Sequence, residues 1–177
     1  MWVENEATFS GKYYKVANAV CYPKPVQKPH PPILVGGGGE KFTLRVVAKF
    51  ADIWNCAGSV EDYLRKLEVL KRCCKEVNRD FNEIKLSRLA WVILSSDRKK
   101  IADSLPSRPD NIGDIINRHL IGTPDECVKN MHRSIDLGVT DFELVFPDTF
   151  YNSKDASRLP NLETMELFAE TIFPEFK

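Results

Sequence analysis

The sequence predicts an α/β fold of parallel (β/α) units, four in number, half of what closes a TIM-type (β/α)8 barrel. Three observations carry this. Apolar, partly β-branched runs at residues 33–35, 51–56, 84–94 and 139–146 read as strands. Stretches with helical apolar spacing alternate with them. The connections are short and are punctuated by capping residues, glycine and proline. Such alternation implies right-handed βαβ crossovers and therefore a parallel sheet. One domain is expected over 1–177, with 1–30 as an extended lead-in and 31–177 as the four β/α units.

The lead-in has a hairpin signal at Ser10-Gly11 and apolar positions at Tyr13, Val16, Ala19 and Val20. Pro23, Pro25 and Pro29 then bias their preceding residues away from helix, so 21–32 is a non-helical connector. Ile33, Leu34 and Val35 are expected as a strand buried on both faces. Four glycines, Gly36 to Gly39, follow, and a helix is expected from near Glu40, its apolar face made of Phe42, Val46, Val47 and Phe50 against Lys41, Arg45 and Lys49. After the strand 51–56, Ser59 is a natural N-cap, with Glu61 and Asp62 in the first turn of a helix reaching about Val77. Its stripe is Tyr63, Leu64, Leu67, Leu70 and Cys74. The strand 84–94 is next, then an ambiguous stretch to Leu120 of weak helices interrupted by Pro106 and Pro109. Thr123-Pro124-Asp125-Glu126 forms a capping box with proline at the first helical position, and Val128, Met131 and Ile135 give the stripe before Gly138. The strand 139–146 ends in a Pro147-Asp148 turn. A last helix carries Leu162, Met165, Phe168, Ile172 and Phe173.

The chain has 25 basic and 25 acidic side chains in 177 residues, a formal net charge of zero. That balance gives no global reason to bind nucleic acid or an anionic membrane. No apolar run approaches the ~20 residues of a membrane span, and no signal core is expected at the start, so the cytoplasm is the default compartment. Cys21, Cys56, Cys73, Cys74 and Cys127 are scattered without a CxxC pair and read as free thiols, with no metal site. Neighbouring Cys73 and Cys74 point to different faces of one helix, so at least one is a small buried hydrophobe. His30, His119 and His132 are dispersed and take no metal or base role. Trp54 and Trp91 lie on strands and fill packing volume.

The stretch with chemistry in it is the glycine loop. Without Cβ atoms, Gly36 to Gly39 can adopt positive φ and let an anion approach main-chain N–H groups, while the following helix adds the positive end of its dipole. Taken alone, the loop reads better as a tight strand-to-helix turn with no ligand. No Walker lysine-serine follows, and Gly36, Gly38 and Lys41 miss the third glycine of a dinucleotide fingerprint.

Several blocks together are more specific: Phe9, Gly11, Tyr13 and Tyr14 in an F-x-G-x-Y-Y lead-in, PKPVQKPHPPI, GGGGEKFTLRVVAKFADIWN, IGTPDEC, GVTDFELVFPD and ETMELFAETIFPEF. In these the chain resembles the C-terminal half of the bacterial luciferase-like monooxygenase superfamily, in its coenzyme F420-dependent oxidoreductase branch. The resemblance covers nearly all 177 residues. It implies a (β/α)8 barrel whose fifth to eighth strands are the four here, the chain beginning near the end of the fourth unit's helix at Met1-Trp2. It implies a deazaflavin, coenzyme F420, or alternatively FMN, at the C-terminal mouth of the strands. Gly36, Gly37, Gly38 and Gly39 then match the loop that helps hold the cofactor's phosphate region. Glu40, Lys41 and Thr43 open the helix below it, and Asn55 and Cys56 end the next strand at the same mouth.

The family's substrate and hydride-transfer residues lie mostly on the earlier strands, so no catalytic residue is assigned here; Asp148 is a weak candidate. The expected function is flavin- or F420-dependent hydride transfer to or from a small organic substrate, with a complementary N-terminal half barrel as partner. The alternative is a non-catalytic, self-associating half barrel, a homo-oligomer with a vestigial cofactor site. Two exposed sheet edges and an apolar inner face would favour pairing with another chain.

Overall fold

The computed structural model describes residues 1–105, 112–147 and 162–176. The chain divides into two compact units, Met1–Ile33 and Leu34–Lys177. The first carries an antiparallel hairpin, β1 (Ala7–Ser10) with β2 (Lys15–Ala19). Its turn is closed by the Gly11 N–H donating to the Tyr14 carbonyl at 2.9 Å. A Cβ at Gly11 would stand 2.7 Å from the Phe9 ring, so the expected Ser10-Gly11 hairpin needs glycine there for space.

The second unit is a parallel α/β sheet. β3 (Leu34–Gly36) pairs with β4 (Ile53–Cys56), and β4 with the first four residues of β5 (Lys85–Leu94). β7 (Val139–Val145) also runs parallel to β5, along Leu86 to Trp91. Because Leu86, Ser87 and Arg88 pair with β4 and with β7 at once, those two strands flank β5, and the main order is β3-β4-β5-β7. An extra residue, Thr140, enters β7 where the register shifts beside Leu86 and Ser87. A short strand that the sequence did not suggest, β6 (Leu120–Gly122), adds to the far end of β5 at Val92 to Leu94. It begins on the last residue of the stretch read as weak helices; three apolar residues after Arg118 and His119 carry too little periodicity to distinguish strand from helix end.

The helices follow their strands. α1 (Thr43–Phe50) and α2 (Val60–Glu76) cover β3, β4 and the start of β5 with Leu44, Val47, Tyr63, Leu67 and Leu70 around Trp54. α3 (Arg98–Asp103) and α4 (Ile112–Arg118) flank β6. α5 (Pro124–Ile135) and α6 (Leu162–Thr171) cover the rest of β5 and β7, packing Cys127, Met131 and Phe168 on Ala90, Val92 and Leu94. Ser59 caps α2 by accepting from the Asp62 N–H at 3.1 Å. The Glu126 carboxylate accepts from the Thr123 N–H at 2.9 Å at the start of α5. Gly138 ends that unit at φ +93°. No helix among the described residues is long and apolar enough to cross a membrane.

Packing corrects four expectations. Leu34 is 46% exposed, not buried on both faces: alternation turns it away from the helices, while Val35 packs on their side. α1 begins at Thr43, after a turn containing Glu40 and Lys41. It buries Leu44, Val47 and Ala48, leaving Phe42 69%, Val46 45% and Phe50 63% exposed, so the larger apolar stripe is on the outer face. In α2, Leu64 is exposed and Cys73 joins Cys74 in the core. In α5, Ile135 is exposed while Cys127 and Ser134 are buried. Cores are filled by what fits at the crossing, and small residues fit where helix and sheet approach closely. Pro106, Pro109 and Asp148 lie outside the described residues.

Candidate functional site

Parallel strands put all their C-terminal ends on one rim. Gly36 ends β3 and Cys56 ends β4, so the glycine loop and the Ala57 to Ser59 connection meet there. The loop is held from below by β4. The Gly37 N–H donates to the Asn55 carbonyl at 2.8 Å, and the Trp54 indole N–H donates to the Gly37 carbonyl at 2.8 Å. Gly37 has φ +115°, a conformation that L side chains rarely adopt. Gly39 receives the Leu44 N–H at 3.0 Å, which ties the loop to the first turn of α1.

Side-chain space is absent at two of the glycines. A Cβ at Gly38 would stand 2.7 Å from the Lys66 ammonium and 2.8 Å from the Cys56 sulfur. A Cβ at Gly39 would stand 2.8 Å from the Thr43 hydroxyl. At Gly36, by contrast, nothing lies within 4 Å. The loop backbone thus presents itself beside a half-buried cation and a hydroxyl. Such a cradle fits a phosphate group, which takes backbone N–H donors, a hydroxyl and a positive charge.

The residues singled out from sequence divide accordingly. Gly37, Gly38, Gly39, Thr43 and Cys56 come together. Asn55 is buried one layer beneath, its amide donating to the Ser87 hydroxyl at 2.8 Å. Lys41 is not brought in: its ammonium lies 5.2 Å above the Phe42 ring on the exposed turn. Two residues that sequence reasoning did not assign to the site belong to it. Trp54 anchors the loop, and Lys66 supplies the cation, 3.9 Å from the Cys56 sulfur. The signal for Lys66 was its place next to the stripe of Tyr63, Leu67 and Leu70, on the N-terminal half of α2.

Burial pushes the Cys56 thiol upward, and nearby Lys66 only partly opposes this. Cys56 is therefore a thiol, donating to the Ala57 carbonyl at 3.2 Å, and a spacer in the cradle rather than a nucleophile. Tyr63 is pushed above its ordinary range by burial and donates to the Ser87 carbonyl at 3.2 Å. On the rim, Glu40 pairs with Arg65, Arg65 with Asp62 at 3.2 Å, and Asp62 with Arg118 at 3.7 Å. These exposed pairs connect the end of the glycine loop to α2 and α4; each contributes ~0–1 kcal/mol.

Arg88 is fully buried on the helix side of β5, in the gap between the end of β4 and the start of β6. Its guanidinium donates to Asn130 Oδ1 at 2.6 Å, to the Ser134 hydroxyl at 2.5 Å, and to the carbonyls of Gly58 and Arg118 at 3.2 and 3.3 Å. Burial lowers its pKa from the usual arginine range. Near it, burial and then the positive Arg88 and Arg118 push His119 down to about 4, and His119 Nδ1 accepts from the Trp91 N–H at 3.3 Å. His119 is thus a neutral acceptor in the turn before β6. His30 and His132 are elsewhere, against the Pro31 carbonyl and the Phe176 ring. No group of three metal-ligating side chains occurs among the described residues.

Residues 1–108, which contain the whole cradle, match the model of the luciferase-like monooxygenase family. The chain belongs to that family. The uncharacterized proteins Rv0953c of Mycobacterium tuberculosis and Mb0978c of Mycobacterium bovis are each 39% identical over 54 residues, 30% of this chain and 19% of theirs. Among solved structures, the coenzyme F420-dependent tetrahydromethanopterin reductase of Methanopyrus kandleri superposes with a TM-score of 0.72 at 19% identity, over 99% of this chain and 60% of that one. An F420-dependent secondary alcohol dehydrogenase in complex with an F420-acetone adduct gives 0.75 at 19% identity, over 99% and 58%. The FMN complex of the 3,6-diketocamphane monooxygenase of Pseudomonas putida gives 0.60 at 14% identity, over 99% and 60%. At these identities the structural likeness establishes the fold alone. The chain spans less than two thirds of the length of each of these relatives.

Proposed function

We propose that this chain is the cofactor-anchoring half of a flavin- or deazaflavin-dependent oxidoreductase, the C-terminal four β/α units of a luciferase-like barrel. One observation carries the reading. The glycine loop lies at the C-terminal rim with the Lys66 ammonium packed directly against the bare backbone of Gly38, so main chain and a cation stand side by side where an anion would be held. Gly38 and Gly39 would turn their backbone to the cofactor's phosphate, with the Thr43 hydroxyl and the Lys66 ammonium beside it, while Gly37 ties the loop to β4. Trp54 and Asn55 hold the loop in that shape. The deazaflavin coenzyme F420 is the preferred cofactor, because two of the similar structures named above are F420-dependent and the GGGGEK block is nearest that branch; FMN is the alternative. When bound, its ring would supply hydride chemistry toward a small organic substrate, the protein contributing position and electrostatics. The residues that touch the reacting atoms would come from the missing part of the barrel. The five cysteines are all free thiols, which favours a reducing compartment such as the cytoplasm.

Titration of the purified chain with F420 and with FMN, followed by cofactor fluorescence, tests the anchor. Saturable binding that inorganic phosphate competes away is expected. Lys66→Ala should weaken it by about tenfold through loss of a charge-assisted hydrogen bond, and Gly38→Val should abolish it. Binding that ignores both substitutions would refute the assignment.

A further inference from the structure

We infer that Arg88 is the positioning residue of the cradle: it clamps the first turn of α2 and thereby sets Lys66 against the glycine loop. That role rests on the loop being an anion site, as proposed above, and three features of the chain define it.

First, the two ends of the buried guanidinium serve different parts of the fold. Nη1 donates to Asn130 Oδ1 and to the Ser134 hydroxyl, both on α5. Nη2 donates to the carbonyls of Gly58 and Arg118, just ahead of α2 and β6. All four acceptors are neutral, and Nε has no acceptor among the described residues. A buried cation without a carboxylate is a costly way to fill a core, whereas a planar fork that bonds in two directions fixes the parts it joins.

Second, the Nη2 end reaches α2 by two routes. Gly58 immediately precedes Ser59, whose hydroxyl accepts from the Asp62 N–H. Arg118, whose carbonyl is held, turns its own side chain to Asp62 at 3.7 Å and to Asp114 at 2.9 Å. Both routes end in the same turn of α2. Asp62 lies on the helix face that carries Lys66 one turn later.

Third, that turn is packed against the cradle. Gly58 has φ +149°, and a Cβ there would stand 3.4 Å from Asp62 Cβ and 3.9 Å from the Lys66 ammonium. The ammonium is in turn 3.9 Å from the Cys56 sulfur and lies against Gly38. Lys66 makes no ion pair among the described residues, so its place is set by the helix that bears it and by these neighbours. A shift of Gly58 is therefore a shift of Lys66.

Arg88→Lys tests this, because it keeps the charge but gathers the donors on one nitrogen, which cannot serve α5 and both carbonyls together. Near-ultraviolet circular dichroism should show the variant folded. In the cofactor-free protein the Asp62 and Tyr63 amides should exchange at least about tenfold faster than in the unaltered chain, beyond any change shared by α6. Faster exchange along α5 with the first turn of α2 unchanged would overturn the inference and leave Arg88 a bolt for α5. Should Arg88→Lys fail to fold, exchange in the unaltered chain decides: Asp62 and Tyr63 should open together with α5, and their opening ahead of it overturns the inference.

A double-variant cycle on inorganic phosphate binding, followed by tryptophan fluorescence, supplies the second readout. Arg88→Lys should weaken phosphate about fivefold when Lys66 is present and less than about twofold beside Lys66→Ala, because Arg88 acts through Lys66. Equal losses in the two backgrounds would overturn the inference. A chain that binds no phosphate refutes the cofactor reading alone; the exchange comparison, made without ligand, then decides the role of Arg88.

Discussion

α1 and α2 are neighbours on one side of the same sheet, yet they relate to it differently. α2 is single-faced: Tyr63, Leu67, Leu70, Cys73 and Cys74 are buried, charges occupy most of the rest, and Ser59 caps its start. α1 has two apolar faces. Its small one, Leu44, Val47 and Ala48, meets the sheet, and its large one, with Phe42 and Phe50, does not; its N-cap position is Phe42, which makes no capping bond. Amphipathic spacing states that a helix has an apolar face. It does not state how many neighbours the helix has, and a second face is the mark of a second neighbour.

The contrast can be broken most directly by truncating matched residues. Leu70→Ala in α2 should cost about 3 kcal/mol in urea unfolding, because Leu70 is fully buried and a cavity remains. Phe50→Ala, a larger truncation in α1, should change the unfolding free energy of the isolated chain by less than about 0.5 kcal/mol. Equal losses would erase the distinction between the two helices.

A polar counterpart sharpens it. The approach to α2 is fastened by Arg88, which binds the Gly58 carbonyl, so Arg88→Leu should cost about 2 kcal/mol by leaving that carbonyl, the Arg118 carbonyl and Asn130 without their donor. The same cluster gives a pH dependence. His119 is neutral when folded, with its pKa pushed from 6.5 to about 4, while the unfolded chain takes up a proton below about 6.5. The unfolded state thus binds more protons in that window, and stability should fall as pH drops from about 6.5 to about 4, then level off. His119→Gln should flatten this part of the profile by roughly 1–3 kcal/mol relative to the native chain, measured by denaturation at pH 7 and pH 4. The smallest expected effect is at the caps. Ser59→Ala should cost about 1 kcal/mol, and Phe42→Ala next to nothing, since only α2 has a side-chain cap to lose.

Legibility from sequence follows the same physics. The β5 and β7 strands, α2 with its cap and α5 with its Thr123 and Glu126 box could be read because each is fixed by local chemistry: a long apolar run, a capping hydroxyl, a proline at the first helical position. β6 could not, being three residues defined only by their pairing with Val92 to Leu94. The α1 face was misread because Phe and Val outweigh Leu and Ala in any local hydrophobic count, whereas burial was decided by how closely α1 lies on β3 and β4. At the candidate site the glycines were legible as missing Cβ atoms. Lys66 and Trp54 were not, because their roles are created by crossing from α2 and β4 to a loop more than ten residues away.

The bond from the Trp54 indole to the Gly37 carbonyl has an optical consequence. Of the three tryptophans, Trp54 is fully buried and stacked on Tyr63 at 4.8 Å, while Trp2 is exposed. Its emission should be blue-shifted and shielded from iodide, and sensitive to any change in the Gly37 peptide to which it donates. The chain therefore carries its own chromophore at the loop, and an anion settling there can be read from the protein's ultraviolet fluorescence without any label.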